Sequence, residues 1–115
     1  MSIDPRRALG ASGEEAAAAV YLDRGWTVEA RNWRCRDGEL DLVLSGDGIL
    51  AFCEVKTRTS DRYGSPAAAV TPSKQARIRR LAVRWLGETG QRASRLRFDV
   101  AVVRGDEVQI IEGAF

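Results

Sequence analysis

The sequence predicts one α/β (α+β) domain in the order αβββαββ, with a mixed sheet. Three observations predict it. Two segments have helical composition and end signals, five stretches have strand composition, and the turn Asp47-Gly48 joins two of the strands into a hairpin. A chain of 115 residues, 44% hydrophobic and 30% charged, buries a core without disulfides or a structural metal and lacks the composition of a disordered one. The domain is read as residues 1–115, with residues 1–10 as a flexible N-terminal tail.

The first helix is predicted over residues 12–24, "SGEEAAAAVYLDR", from its alanines, its Ser/Gly start, the acids of its first turn and Gly25 as a stop. "WTVEARNW", residues 26–33, alternates as a strand and leads into the turn "CRDG". The hairpin "GELDLVLSGDGILAFCEVKTR" occupies residues 38–58. Residues 59–70, "TSDRYGSPAAAV", form a Gly/Ser/Pro-containing connection of a length often used functionally. A second helix opens with Thr71 as N-cap and Pro72 at its first position. Its residues Ile78, Leu81, Ala82, Trp85 and Leu86 make an apolar stripe, while Lys74, Arg77, Arg80 and Arg84 make a basic one. "LRFDVAVV" (96–103), "RGDE" and "VQII" (108–111) supply two strands and their turn.

Composition excludes much chemistry. Histidine is absent, which removes Ser-His-Asp and Cys-His catalysis and histidine-based zinc sites. Cys35 and Cys53 form no CxxC, so a disulfide scaffold is not expected. No run reaches the length of a membrane span and the N-terminus has no signal-type apolar region, which predicts a cytoplasmic protein without membrane contact. The net charge is only +2, and 16 of the 18 basic residues are Arg, an excess that a GC-rich genome explains as well as a nucleic-acid partner does.

The hairpin carries the sharpest signal. If Asp47-Gly48 is a two-residue turn, paired positions sum to 95, which places Leu40, Leu42, Leu44, Ile49, Ala51, Cys53 and Val55 on one core face. The other face carries Glu39 opposite Lys56, Asp41 opposite Glu54, and Val43 opposite Phe52. Facing carboxylates lie roughly 5 Å apart at Cβ. Their repulsion at an effective dielectric of 20 is on the order of 3 kcal/mol. A divalent cation compensates it directly, and Lys56 on the same face reaches a water or phosphate at that cation. The competing reading is an exposed face with solvated acids and a Glu39–Lys56 ion pair. Trp26 and Trp33 offer stacking surfaces for bases, whereas Trp85 on the apolar stripe reads as core.

"GELD" followed by "FCEVKTR" resembles the PD-(D/E)XK nuclease superfamily, with Asp41 as the first acid, Glu54-Val55-Lys56 as ExK, and Leu40 where the motif has proline. "GEEAAAAVYLDRGW", "ARNWRCRDGELDLV", "YGSPAAAVTPSKQ", "RFDV" and the terminal "AF" extend the resemblance over nearly the whole chain to the YraN-like family of uncharacterised bacterial proteins. The layout is also similar to archaeal Holliday-junction resolvases, whose extra helix glutamate corresponds to Glu14, or to Glu15 in the alternative register.

The resemblance implies a restriction endonuclease-like fold, a mixed central sheet flanked by helices, and a metal-dependent endonuclease acting on DNA, with branched or flapped substrates in repair or recombination. Asp41, Glu54 and the Val55 carbonyl would hold Mg²⁺ or Mn²⁺, Glu14 would serve a second ion or its waters, and Lys56 would stabilise developing charge. Arg58, Lys74, Arg77 and Arg84 would contact phosphates, Gln75 would help position the site, and a homodimer would make paired cuts. The alternatives are a non-catalytic nucleic-acid-binding module on the same scaffold and a purely structural interaction protein.

Overall fold

The computed structural model describes residues 5–58 and 70–115, with first-helix side chains from Ser12 onward. Residues 59–69 of the expected connection at 59–70 and residues 1–4 of the expected tail lie outside the described residues. The elements are α1 (Pro5–Asp23), β1 (Thr27–Cys35), β2 (Gly38–Gly46), β3 (Ile49–Thr57), α2 (Pro72–Thr89), β4 (Arg95–Arg104) and β5 (Glu107–Ile111). The order αβββαββ is as the sequence predicts.

Helix α1 begins at Pro5, well before the Ser12 start expected from composition. Proline suits a helix start because its fixed φ is already helical, and the Arg-Arg-Ala-Leu that follows propagates the helix into the alanine run. Helix α2 starts as expected: the Thr71 side chain accepts a hydrogen bond from the Lys74 N–H, and Pro72 occupies the first turn. Its end is capped by Gly90 in the left-handed conformation, whose N–H donates to the Leu86 carbonyl.

The five strands lie in the order β1-β2-β3-β4-β5, with β3 and β4 parallel and the other pairs antiparallel. Asp47 and Gly48 both have positive φ, 51° and 77°, which makes the two-residue turn, and the pairs run from Gly46↔Ile49 to Leu42↔Cys53 in the predicted register.

Both sheet faces are buried, whereas the sequence assigned only one to the core. Ala17, Ala18 and Tyr21 of α1 cover Leu42, Leu44, Ala51, Cys53, Ala101 and Val103. Ile78, Leu81, Ala82 and Trp85 of α2 pack with Val43, Leu50, Phe52, Phe98, Val100 and Val102. The alternation expected of a one-sided sheet misleads here because the β3–β4 crossover places α2 on the second face. Leu40, expected with Leu42 and Leu44, joins the α2 cluster instead, at a strand start where Gly38 has a φ of 145° and the β2–β3 pairing has ended. Among the described residues no helix is long and apolar enough to cross a membrane.

Candidate metal centre

Three elements bring acids together where β2 and β3 part. A side chain at Gly13 would run into Thr57, so the glycine lets α1 lie close on the end of β3 and brings Glu14 to the strands. Gly38 does the same for α2: a Cβ there would stand 3.3 Å from Leu81 and 3.6 Å from Arg77. Carboxylate oxygens of Glu14, Glu39 and Asp41 all lie within 4.8 Å of one another. Glu39, Asp41 and Glu54 share a cavity of about 230 Å³ with Lys74, Arg77, Ile78 and Leu81.

The electrostatics follow from this crowding. Asp41 is pushed up from 3.8 to about 7, first by burial, then by the neighbouring Glu54 and Glu14, against the opposing hydrogen bond from the Val55 N–H. That bond, from Val55 to Asp41 Oδ2, is 2.9 Å long and ties the two strands where regular pairing has ended. Glu14 is also raised, by burial and by Glu39 and Glu54, while the Asn32 side chain lowers it. Asn32 itself has a left-handed φ of 49° on β1. Sequence reading missed its part in the site.

Glu54 is 7% exposed and is met by two ammonium groups, Lys74 Nζ at 2.6 Å and Lys56 Nζ at 3.7 Å, both at Oε1. Burial lowers the pKa of Lys56, and the adjacent Lys74 adds to it. In Lys74 the lowering by burial is overridden by the hydrogen bond to Glu54, so its pKa rises.

Asp41, Glu54, Lys56 and Glu14 thus converge as the sequence suggests, and of the two helix glutamates Glu14 is the one in the cluster while Glu15 is exposed. The expected Glu39–Lys56 pair is corrected: Glu39 faces Arg34 across the β1–β2 ladder, 3.4 Å from its Nε, while Lys56 turns to Glu54. Glu39 belongs with the acids. Its place two residues before Asp41, on the same side of the strand, was the available signal.

The basic residues divide. Lys74 and Arg77 line the acidic cavity. Gln75 donates to the Val70 carbonyl at 3.0 Å and so secures the approach to α2. Arg84 is exposed and pairs with Asp37 at 2.9 Å and Glu88 at 3.2 Å. The Arg58 N–H continues the β3–β4 pairing by donating to the Val103 carbonyl. Trp85 is buried against Phe52, as expected of core. Trp26 packs edge-on to Tyr21 under the Arg97 guanidinium, and Trp33 packs against the α2 cluster.

The donor set fits a hard divalent cation, which takes carboxylate and carbonyl oxygens. Three acids line the cavity and Glu14 clusters with two of them, with no histidine or cysteine among the four, which matches that preference.

The sequence profile described as uncharacterised protein family UPF0102 matches residues 13–103. A UPF0102 protein of Frankia alni is 48% identical over the full length of both chains. One from Rhodococcus jostii is 53% identical over 84% of this chain and 81% of its own, and one from Mycolicibacterium gilvum 52% identical over 88% and 84%.

Proposed function

The chain belongs to the uncharacterised protein family UPF0102, so its reaction has to be argued from its own site, and we propose that it hydrolyses nucleic-acid phosphodiester bonds with the help of Mg²⁺ or Mn²⁺. One observation carries this reading: Glu14 of α1 clusters with Glu39 and Asp41 of β2, those two share a cavity with Glu54 of β3, and Lys56 meets Glu54, in the D…ExK arrangement. Asp41 and Glu54 would hold the ion, with Glu14 and Glu39 available for its waters or a second ion. The N–H and C=O of one residue in an extended strand share an edge, so Val55, whose N–H donates to Asp41, directs its carbonyl to the same side. The bound ion supplies Lewis acidity toward phosphate and makes water a stronger nucleophile at neutral pH.

The chain's own groups do the rest. Lys56, on the flank of Glu54, orients the attacking water and stabilises the charge developing on phosphate. Lys74 and Arg77 at the cavity wall, with Arg58 and Arg84 farther out, form a phosphate track, and Gln75 fixes the α2 start that carries it.

For the substrate we favour branched or flapped DNA, bound as a homodimer. Sequence readout needs a helix or ribbon that delivers bidentate side chains to base edges. Here α2 uses its apolar stripe to cover the sheet and has a basic face suited to backbone contacts, so recognition rests on charge and DNA shape. Paired cuts need two sites related by a two-fold axis.

The test is cleavage of single-stranded, duplex, flap and four-way DNA with Mg²⁺, Mn²⁺ or chelator. Cleavage that requires the ion and is lost in Asp41→Asn supports the reading. Binding without cleavage under every cation would leave a non-catalytic module, and equal affinity for junction and matched linear duplex would remove the branched-DNA preference.

A further inference from the structure

The chain has only two lysines, Lys56 and Lys74, and both ammonium groups meet one carboxylate oxygen, Glu54 Oε1. The shorter contact, 2.6 Å, comes from Lys74 on the opposing helix rather than from Lys56 on the same strand. Its origin is local. The Thr71 cap fixes the Lys74 backbone at the start of α2 by accepting its N–H, and the side chain runs from there into the acidic cavity, 30% exposed against 9% for the Glu54 side chain. A short, charge-assisted contact of this kind is among the stronger ones a half-buried lysine can make.

The charges explain why it forms. Glu14, Glu39, Asp41 and Glu54 bring four formal negative charges to one region, and Lys56, Lys74 and Arg77 answer with three positive ones. A divalent ion adds two more and needs the same Glu54 oxygen that Lys74 occupies. A doubly charged ion at that oxygen repels the ammonium bound there more strongly than the second, more distant ammonium does, so the ion and Lys74 compete for it.

We propose that Lys74 is a tethered counter-ion of the metal centre: its ammonium holds Glu54 in the cation-free protein and competes with the divalent ion for it, thereby setting the concentration at which the site loads. This rests on the metal-centre reading above and adds its regulation. Glu54 is kept folded and charge-paired without an ion, and the ion must displace an internal competitor to reach it.

Calorimetric titration of Mn²⁺ into the full chain tests this, at one fixed pH and low ionic strength. The wild type is compared with Lys74→Met, Lys74→Gln, Lys56→Met and Asp41→Asn, each checked for folding by thermal melting. Both Lys74 variants are expected to bind Mn²⁺ about tenfold more tightly than wild type, the size of one lost charge-assisted competitor. Lys56→Met, which removes the 3.7 Å contact, is expected to change affinity less. If wild type binds Mn²⁺, Asp41→Asn loses it, and the Lys74 variants bind equally or more weakly, the competitor is overturned and the metal centre stands. If no form binds Mn²⁺, both readings fall.

Discussion

Two groups of acids lie side by side in the sheet and have opposite surroundings. Asp99 on β4 is fully buried and pairs in register with Cys53, the neighbour of Glu54. It accepts hydrogen bonds from the Tyr21 hydroxyl at 2.7 Å, from two Arg97 nitrogens at 2.9 and 3.0 Å, and from the Gly113 N–H at 3.0 Å. Its charge is answered from α1, from its own strand and from the C-terminal turn. Asp41, on the other side of Glu54, receives one N–H and is crowded by Glu54 and Glu14, with Lys56 and Lys74 acting on it only through their charge. A buried acid surrounded by donors works as a clamp, whereas one surrounded by acids is a place where a cation is wanted. The cost of its own assembly distinguishes the candidate site from the structural ion pair.

Asp99→Ala tests the clamp and carries the largest expected effect on stability. It strands the mostly buried Arg97 and removes the tie to Gly113, with an expected loss of about 3–5 kcal/mol. The melting temperature should fall by more than about 10 °C. A fall of only a degree or two would mean that the pair contributes little and the comparison fails.

Lys56→Ala tests the other side. Cleavage should drop by about 10²–10³-fold, while nucleic-acid affinity and melting temperature stay close to wild type. Single-turnover kinetics alongside a binding isotherm separate the two, and an unchanged cleavage rate would remove Lys56 from the chemistry.

Asp41→Asn sharpens the contrast by sign. The Asp41 carboxyl lies at about 7 in the folded protein against 3.8 as its ordinary value. The folded state therefore binds the proton more tightly, and the contribution to stability is present below about pH 4 and lost as pH rises through 7. Removing the ionisable group should make the cation-free protein more stable at pH 8, on the order of 1–2 kcal/mol, with no gain at pH 4. Urea denaturation at the two pH values measures this. A variant less stable than wild type at pH 8 would contradict the repulsion.

Arg84→Ala should do least. Its partners Asp37 and Glu88 are exposed with it, and such pairs are screened by solvent, so the melting temperature should not move measurably. Reversing Arg77 at the cavity wall should weaken DNA binding and flatten its salt dependence more than reversing Arg84 does. Equal effects would extend the phosphate track along the helix.

Local chemistry made much of this legible in the sequence. The Asp47-Gly48 turn dictates hairpin register, and the register holds as far as Leu42↔Cys53, the pair beside Asp41 and Glu54. Thr71-Pro72 sets the start of α2 for the same kind of reason, since capping is a property of four consecutive residues. The YraN-like resemblance led to the family that the UPF0102 profile matches.

What the tertiary structure alone decided is which charges answer which. Glu39 faces Arg34 rather than Lys56 because β1 pairs beside it and the β2–β3 ladder ends before reaching it. Lys74 closes on Glu54 because the parallel β3–β4 crossover carries α2 over the face that the hairpin leaves open. Asp99 reads in the sequence as one more strand acid beside Asp41. Its donors come from positions as distant as Tyr21 and Gly113, brought together only by the packing of α1 and the final turn. Backbone periodicity is local and can be read along the chain. The pairing of charges depends on distances between elements, which only the assembled core sets.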